Sequence, residues 1–159
     1  MTIRKNFLLS ISVVIFLAAI YFLTRPYLFV RVAGENYLTL PARPGLAVSD
    51  FFIHSVQKTP VLENLVIDDE VQGFTLLSTK YQSFGVGLPF LPEEGNFRQE
   101  GDYYIMDDMN RHYSSLSFRV GVGTQLTLYV DEVKYPLYEE YAPGTEIDVF
   151  IAPLYHYFW

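Results

Sequence analysis

The side chains best suited to chemistry lie in two short polar stretches, residues 52–60 and 82–89, of a largely apolar chain. The first stretch carries a histidine, a serine and a lysine (His54, Ser55 and Lys58). The second carries two polar side chains and two glycines (Gln82, Ser83, Gly85 and Gly87). Successive backbone N–H groups near glycines can form a concave cradle for an anion, to which Lys58 would add positive charge. The pattern therefore predicts a small pocket for an organic carboxylate.

A structural interpretation explains the same residues without a ligand. His54 lies on a predicted strand, Leu46 to Val56, whose two faces both carry apolar residues. An unpaired polar group buried there would cost about 1–3 kcal/mol, and the loop that begins at Gln82 could supply its hydrogen-bond partner. The glycines would then be turn residues with positive φ. A binding pocket and a lock between loop and sheet are thus two open hypotheses.

Serine hydrolase chemistry is a third hypothesis, and the sequence gives it little support. His54 and Ser55 are adjacent on a strand, so their side chains point to opposite faces and cannot pair. Ser83 could act as a nucleophile with His54 and Asp50. However, the residues around Ser83 lack the first glycine of a nucleophile elbow, and no helical pattern follows them. We therefore expect no catalytic residues and no enzymatic activity.

Metal, cofactor and nucleic-acid binding are not expected either. The oxygen-rich segment 107–112 lacks the ligand spacing and central glycine of a calcium loop. The chain has no cysteine, and its three histidines are not spaced as zinc ligands. Its net charge is −7, and without the N-terminal cations Arg4, Lys5 and Arg25 it becomes −10. A domain of that sign repels phosphate backbones.

The N-terminal segment predicts where the protein resides. Arg4 and Lys5 precede an uncharged run of 17 residues, Phe7 to Leu23. As a helix this run would span about 26 Å, close to the ~30 Å hydrocarbon core of a bilayer. It is longer than a signal-peptide core, and residues 21–26 at its end offer no small-x-small cleavage site. We therefore predict an uncleaved single-pass anchor over residues 1–25, oriented N-in, with residues 26–159 as an extracytoplasmic domain.

The remaining chain must position the polar stretches, and its pattern is that of strands and turns. Thirteen Tyr and 13 Phe residues favour strands, because aromatic rings pack well on a pleated surface. Short strands recur every 8–12 residues with turn signals between them. The predicted strands are 27–32, 37–40, 46–56, 61–67, 74–81, 103–106, 116–120, 126–130, 133–137 and 146–151. We predict an all-β fold, an antiparallel β-sandwich or partly open barrel of about nine strands, preceded by one N-terminal transmembrane helix.

The two polar stretches also resemble a known family. Residues 54–61 read H-S-V-Q-K-T-P-V, and residues 82–89 read Q-S-F-G-V-G-L-P. They are similar to the signature segments of the bacterial family called domain of unknown function 1850, and residues 116–121 resemble a further segment of it. The similarity extends over about residues 36–150. It implies small proteins with a hydrophobic N-terminal segment, often encoded beside tripartite transporters of the TAXI type. It provides no catalytic residues to transfer to this chain.

These observations favour a membrane-anchored extracytoplasmic accessory or interaction module, and the resemblance implies an association with a tripartite solute transporter. The alternative is a carboxylate-binding protein that uses the region of His54, Lys58 and Gly85–Gly87. A serine hydrolase with Ser83 as its nucleophile is the third class. The expected partners are the membrane, through the N-terminal helix, and transporter subunits.

Overall fold

The fold consists of two antiparallel β-sheets, seen in a computed structural model that describes residues 2–85 and 87–158, with side chains described from Ser10 onward. These residues form twelve strands and two α-helices. In chain order the elements are α1 (Thr2–Leu23), β1 (Pro26–Val32), β2 (Glu35–Pro41), β3 (Ala47–Ile53), β4 (Pro60–Ile67), β5 (Phe74–Tyr81), β6 (Asn96–Glu100), β7 (Tyr103–Asp107), β8 (Arg111–Tyr113), β9 (Ser115–Arg119), β10 (Thr127–Val130), β11 (Val133–Tyr135), α2 (Leu137–Glu140) and β12 (Glu146–Pro153). Two 3-10 helices cover Pro92–Glu94 and Leu154–Phe158.

The smaller sheet joins the two ends of the domain. Its strand order is β2-β1-β12-β9, and β1 pairs with β12 along its whole length, from Pro26 opposite Pro153 to Val32 opposite Ile147. The larger sheet has the order β11-β10-β3-β4-β5-β7-β6, with β8 paired to β5 beside β7. The chain crosses from the larger to the smaller sheet at Ser114, between β8 and β9.

Both sheets contribute to one apolar core. Alternate side chains point to the same face of a strand, so every second residue of β1 and β12 faces the larger sheet. Fully or almost fully buried side chains come from the smaller sheet (Leu28, Val30, Ile147 and Val149). Others come from the larger sheet (Val48, Ile67, Phe74 and Leu128). This alternation is what holds the two sheets face to face.

The all-β, antiparallel class predicted from the sequence is confirmed, and the strand inventory needs three corrections. The described residues form twelve strands, two more than the ten predicted segments, because β6 and β8 lie in segments interpreted as irregular or as turn. Leu137, predicted to end a strand, begins the short helix α2. The strand predicted over Leu46 to Val56 ends at Ile53. Strands β6 and β8 are short, and β6 is an edge strand with all five residues exposed, so their local hydrophobic pattern is weak.

Helix α1 precedes the first strand, and its described side chains, Ser10 to Leu23, are all exposed. Within the part of the chain whose side chains are described, no helix combines the length and the apolar character that crossing a membrane needs. The predicted basic start at Arg4 and Lys5, and the beginning of the predicted span at Phe7, lie outside those residues. Val86 of the predicted anion cradle is likewise outside the described residues, as is Trp159.

The β10–β11 hairpin has the two-residue turn that its sequence predicts. Val130 pairs directly with Val133, and both turn residues have positive φ, +48° at Asp131 and +70° at Glu132. Two positive φ values define the turn type that matches the twist of a hairpin. Residues other than glycine adopt this conformation at a cost of about 1–2 kcal/mol.

We therefore expect Glu132→Gly to raise the free energy of unfolding by roughly 0.5–1 kcal/mol, measured by urea denaturation. Lys134→Gly is the matched control, because Lys134 lies in β11 opposite Tyr129 and a strand glycine costs roughly 0.5–1 kcal/mol. A loss of stability in Glu132→Gly equal to that in Lys134→Gly would contradict the turn assignment.

Candidate functional site

His54 begins the loop between β3 and β4 and organises it through its own imidazole ring. The backbone N–H groups of Val56 and Gln57 donate to Nδ1 of His54 at 3.3 and 3.2 Å. The backbone N–H of Lys58 donates to the His54 carbonyl oxygen at 2.9 Å, with Lys58 at φ +57°. These bonds use N–H groups that a continuing strand would need for a neighbour. They explain why β3 ends before His54.

The second polar stretch closes over His54. Gly85 lies so close that a Cβ atom added to it would be 2.8 Å from Nε2 of His54 and 3.0 Å from Cε1. Only a residue without a side chain allows this approach. Because Nδ1 accepts two hydrogen bonds, the ring proton lies on Nε2, the edge that faces Gly85. The two stretches therefore meet through the His54 ring and the backbone of Gly85.

The other predicted site residues are less closely assembled. Ser55 and Lys58 are exposed, whereas Gln82 and Ser83 are partly buried. Gly87 has φ +88° in a turn closed by the Leu88 N–H donating to the Gly85 carbonyl oxygen at 3.2 Å. Five clefts of about 180 to 630 Å³ are lined by other residues. Carboxylate binding at this loop pair stays a prediction.

An aromatic cluster continues from the second stretch to the edge of the larger sheet. The Phe84 ring lies 4.4 Å from that of Tyr104 and 6.0 Å from that of Phe97, centroid to centroid. Tyr81 is fully buried beside them and donates its hydroxyl to the Pro89 carbonyl oxygen. Phe84 and Phe97 remain about half exposed. The loop thus carries apolar surface from the core to the exterior.

Two carboxylates that sequence reasoning did not group together form a second candidate site. Asp50 on β3 pairs with Glu63 on β4, both on the face toward the smaller sheet. Asp50 is 1% exposed, and no other described residue donates a hydrogen bond to either of its carboxylate oxygens. Both residues line a cleft of about 180 Å³ whose opposite wall is β8 and β9. The sequence did carry a signal, since Asp50 and Glu63 occupy inward positions of apolar strands.

The electrostatics of this pair follow from burial and like charge. Burial, followed by the negative charge of Glu63, raises the pKa of Asp50 well above its usual value, and its own backbone N–H offsets part of this. Burial also raises the pKa of Glu63, which the positive charge of Arg111 partly offsets. Burial raises the pKa of Tyr113 as well, with Glu63 and Asp50 adding to the effect and Arg111 opposing it. The pair is thus under strain when both carboxylates are ionised.

The geometry is unlike that of a serine hydrolase. In a catalytic triad an aspartate receives a hydrogen bond from the Nδ1–H of the histidine. Here Nδ1 of His54 accepts two backbone N–H groups instead, and Asp50 faces Glu63 in the core. Among the described residues, no group of three or more His, Cys, Asp or Glu is arranged to hold a metal ion.

Comparison with known proteins yields one family. The family model described as "Domain of unknown function (DUF1850)" matches residues 49–137. That range includes both polar stretches as well as Asp50 and Glu63. No curated protein and no solved structure is significantly similar to the chain.

Replacement of Gly85 tests the contact with His54. We expect Gly85→Ala to lower the free energy of unfolding by about 1–3 kcal/mol, because the added methyl group overlaps a ring that two backbone hydrogen bonds hold in place. In a His54→Ala background the same substitution should cost less than about 0.5 kcal/mol. A double-mutant cycle measured by chemical denaturation gives this coupling. Equal costs in the two backgrounds would show that the loop does not pack on His54.

Asp50 predicts a pH dependence of stability. Because its folded-state pKa is raised above its unfolded value near 3.8, the folded protein keeps a proton that the unfolded chain has already released. The free energy of unfolding should therefore fall as the pH rises from about 4 through the higher folded-state pKa, with Glu63 contributing in the same direction. Asp50→Asn should reduce the slope of this decline. Its free energy of unfolding should exceed that of the unmodified protein by the largest amount at high pH.

The matched control for this measurement is Asp69→Asn, which removes the same charge from an exposed turn. Its pH profile should parallel that of the unmodified protein. Equal slopes for the Asp50→Asn variant and the unmodified protein would contradict the burial of an ionisable carboxyl at position 50.

Proposed function

The chain belongs to the domain of unknown function 1850 (DUF1850) family, and from that premise we propose that it is a membrane-anchored interaction module on the extracytoplasmic side of a cell membrane. The observation that carries the proposal is the exposure of helix α1. Every described side chain from Ser10 to Leu23 is exposed, and no charged residue occurs between Lys5 and Arg25. A helix that is apolar on all sides is stable only when buried in lipid or protein.

The length of α1 supports lipid as its surroundings. Its 22 residues span about 33 Å, comparable with the ~30 Å hydrocarbon core of a bilayer. Strand β1 begins at Pro26, only two residues after the helix ends at Leu23. The β domain would therefore rest directly on the membrane surface, and its acidic body would face the aqueous side.

Aromatic side chains gathered at the helix base support the same placement. Tyr21 and Phe22 at the end of α1 are exposed, and the C-terminal 3-10 helix that contacts α1 adds three more exposed rings (Tyr155, Tyr157 and Phe158). Backbone and side-chain hydrogen bonds hold that segment in place, from Leu154 N–H to the Arg25 carbonyl at 3.0 Å and from Arg31 to the His156 carbonyl at 2.6 Å. Amphipathic rings collect at the boundary between lipid and water.

The edge of the larger sheet that β6 forms supports an interaction role. Strand β6 ends the sheet order, and all five of its residues are exposed. The neighbouring loop and strand expose large apolar side chains (Phe84, Phe90, Leu91 and Phe97). An open edge with apolar side chains beside it suits a partner that adds an extended segment to the sheet. A subunit of a tripartite transporter is the partner class that the family resemblance implies.

A non-catalytic role is part of the proposal. His54, the histidine of the shared family segment, holds the β3–β4 loop through Nδ1 and packs against Gly85 through its opposite edge. Both edges of the ring are therefore engaged in structure. This arrangement supports a role for the two polar stretches in fixing the loop that carries Phe84.

The anchor can be tested by fractionating cells that produce the full chain. We expect the protein in the membrane fraction, resistant to alkaline carbonate and released by detergent. Replacing Val14 and Phe16 together by Lys should move it to the carbonate-soluble fraction, because each Lys at a helix centre costs roughly 2.5–3.5 kcal/mol of insertion free energy. Val133→Lys, which replaces an exposed apolar residue of the β domain, should leave the distribution unchanged. Carbonate extraction of the unmodified chain would refute membrane anchoring.

A further inference from the structure

We propose that the cleft containing Asp50 and Glu63 binds a small organic cation, a protonated amine, between its two carboxylates and its aromatic wall. This proposal does not depend on the membrane-anchored role, because the cleft is formed by strands of the β domain. It rests on the burial of Asp50, on the absence of a hydrogen bond to its oxygens from any other described residue, and on the residues that line the cleft.

Among the described residues, Asp50 is a buried acidic group whose burial needs an energetic explanation. Its side chain is 1% exposed, and no other described residue donates a hydrogen bond to Oδ1 or Oδ2. A buried carboxylate without a partner costs several kcal/mol, so such groups are paired, protonated or bound to a ligand. Glu63 is its direct cross-strand partner and adds a second carboxylate on the same face. Together the two residues offer up to two negative charges to one occupant.

No cation of the described chain neutralises this pair. The ion pairs between described residues involve other carboxylates (Asp131, Glu100, Asp107 and Glu146). Arg111 acts electrostatically on Glu63, but it is exposed and has its guanidinium 5.3 Å from the centre of the Tyr113 ring. Arg111 reduces the cost of ionising Glu63 without bonding to either carboxylate. The charge of the cleft is thus left for a ligand.

The remaining lining selects the kind of cation. Beside the two carboxylates, the cleft is lined by an aromatic ring from each of two strands, Tyr113 on β8 and Phe118 on β9. Two leucines and two serines complete the lining (Leu65, Leu116, Ser115 and Ser117). Aromatic faces attract ammonium groups, and aliphatic walls suit the alkyl part of an amine. A hard metal ion would instead require several more oxygen ligands. A volume of about 180 Å³ limits the ligand to a few heavy atoms.

The test uses the full chain in detergent, with ethylammonium, tetramethylammonium, calcium and magnesium as separate probes. With the pH set above the folded-state pKa of both carboxyl groups, ethylammonium at about ten times its Kd should raise Tm by about 3–6 °C. Asp50→Asn and Glu63→Gln should each weaken binding by at least about tenfold in calorimetric titration. Asp69→Asn, an equal charge change on an exposed turn, should bind ethylammonium as the unmodified protein does.

Every outcome decides the proposal. Binding of an ammonium probe that is lost in both cleft variants and kept in Asp69→Asn supports it. Binding of calcium or magnesium in preference to either ammonium probe would overturn it in favour of a metal site. Binding that persists in folded Asp50→Asn and Glu63→Gln variants would place the cation elsewhere. Stability that responds to pH but to none of the four probes would show that Asp50 and Glu63 share a proton instead of a ligand.

Discussion

The structure depends on the pairing of its first strand with its last. Seven residues of β1 pair in register with β12, so the two ends of the domain form the centre of the smaller sheet. That sheet supplies the buried face against which the larger sheet packs, and neither face would be shielded from water without the other. The same pairing brings the C-terminal 3-10 helix to the base of α1. One long-range contact therefore determines both the core and the proposed membrane-facing end.

The two polar stretches meet at a single contact, between the His54 ring and Gly85. His54 ends β3 by capturing the N–H groups of its own loop, and Gly85 approaches the opposite edge of the ring. A hydrogen bond from the Tyr81 hydroxyl to the Pro89 carbonyl oxygen holds the segment between them. This segment places Phe84 in an aromatic cluster beside the open edge strand. The His54 ring thus connects the β3–β4 loop to the segment that carries Phe84.

The carboxylates of Asp50 and Glu63, in contrast, are energetically unfavourable. They lie in the face of the larger sheet where apolar packing would otherwise be expected. Burial raises the pKa of both carboxyl groups, and the charge of Glu63 raises that of Asp50 further. A protein interior tolerates such a pair only when protons or a cation neutralise it. In the proposed site the pair lowers stability at high pH, and the same two charges would attract the cation.

The sequence by itself determined the all-β class, the positions of most strands and the turn at Asp131 and Glu132. These features depend on alternation and turn chemistry within a few residues, which a linear pattern contains. It also showed that the segments around His54 and Gly85 belong together. It did not reveal β6 and β8, whose stability comes from pairing with neighbours and not from their own composition.

Only the tertiary structure decided which polar residues lie together. The sequence contains Asp50 and Glu63, but their juxtaposition depends on the register between β3 and β4, and the cleft depends on β8 and β9 closing over them. It contains Gly85, but the reason for a glycine there is a histidine ring 31 positions earlier. Contacts between distant residues are set by strand order and register, which local patterns do not encode.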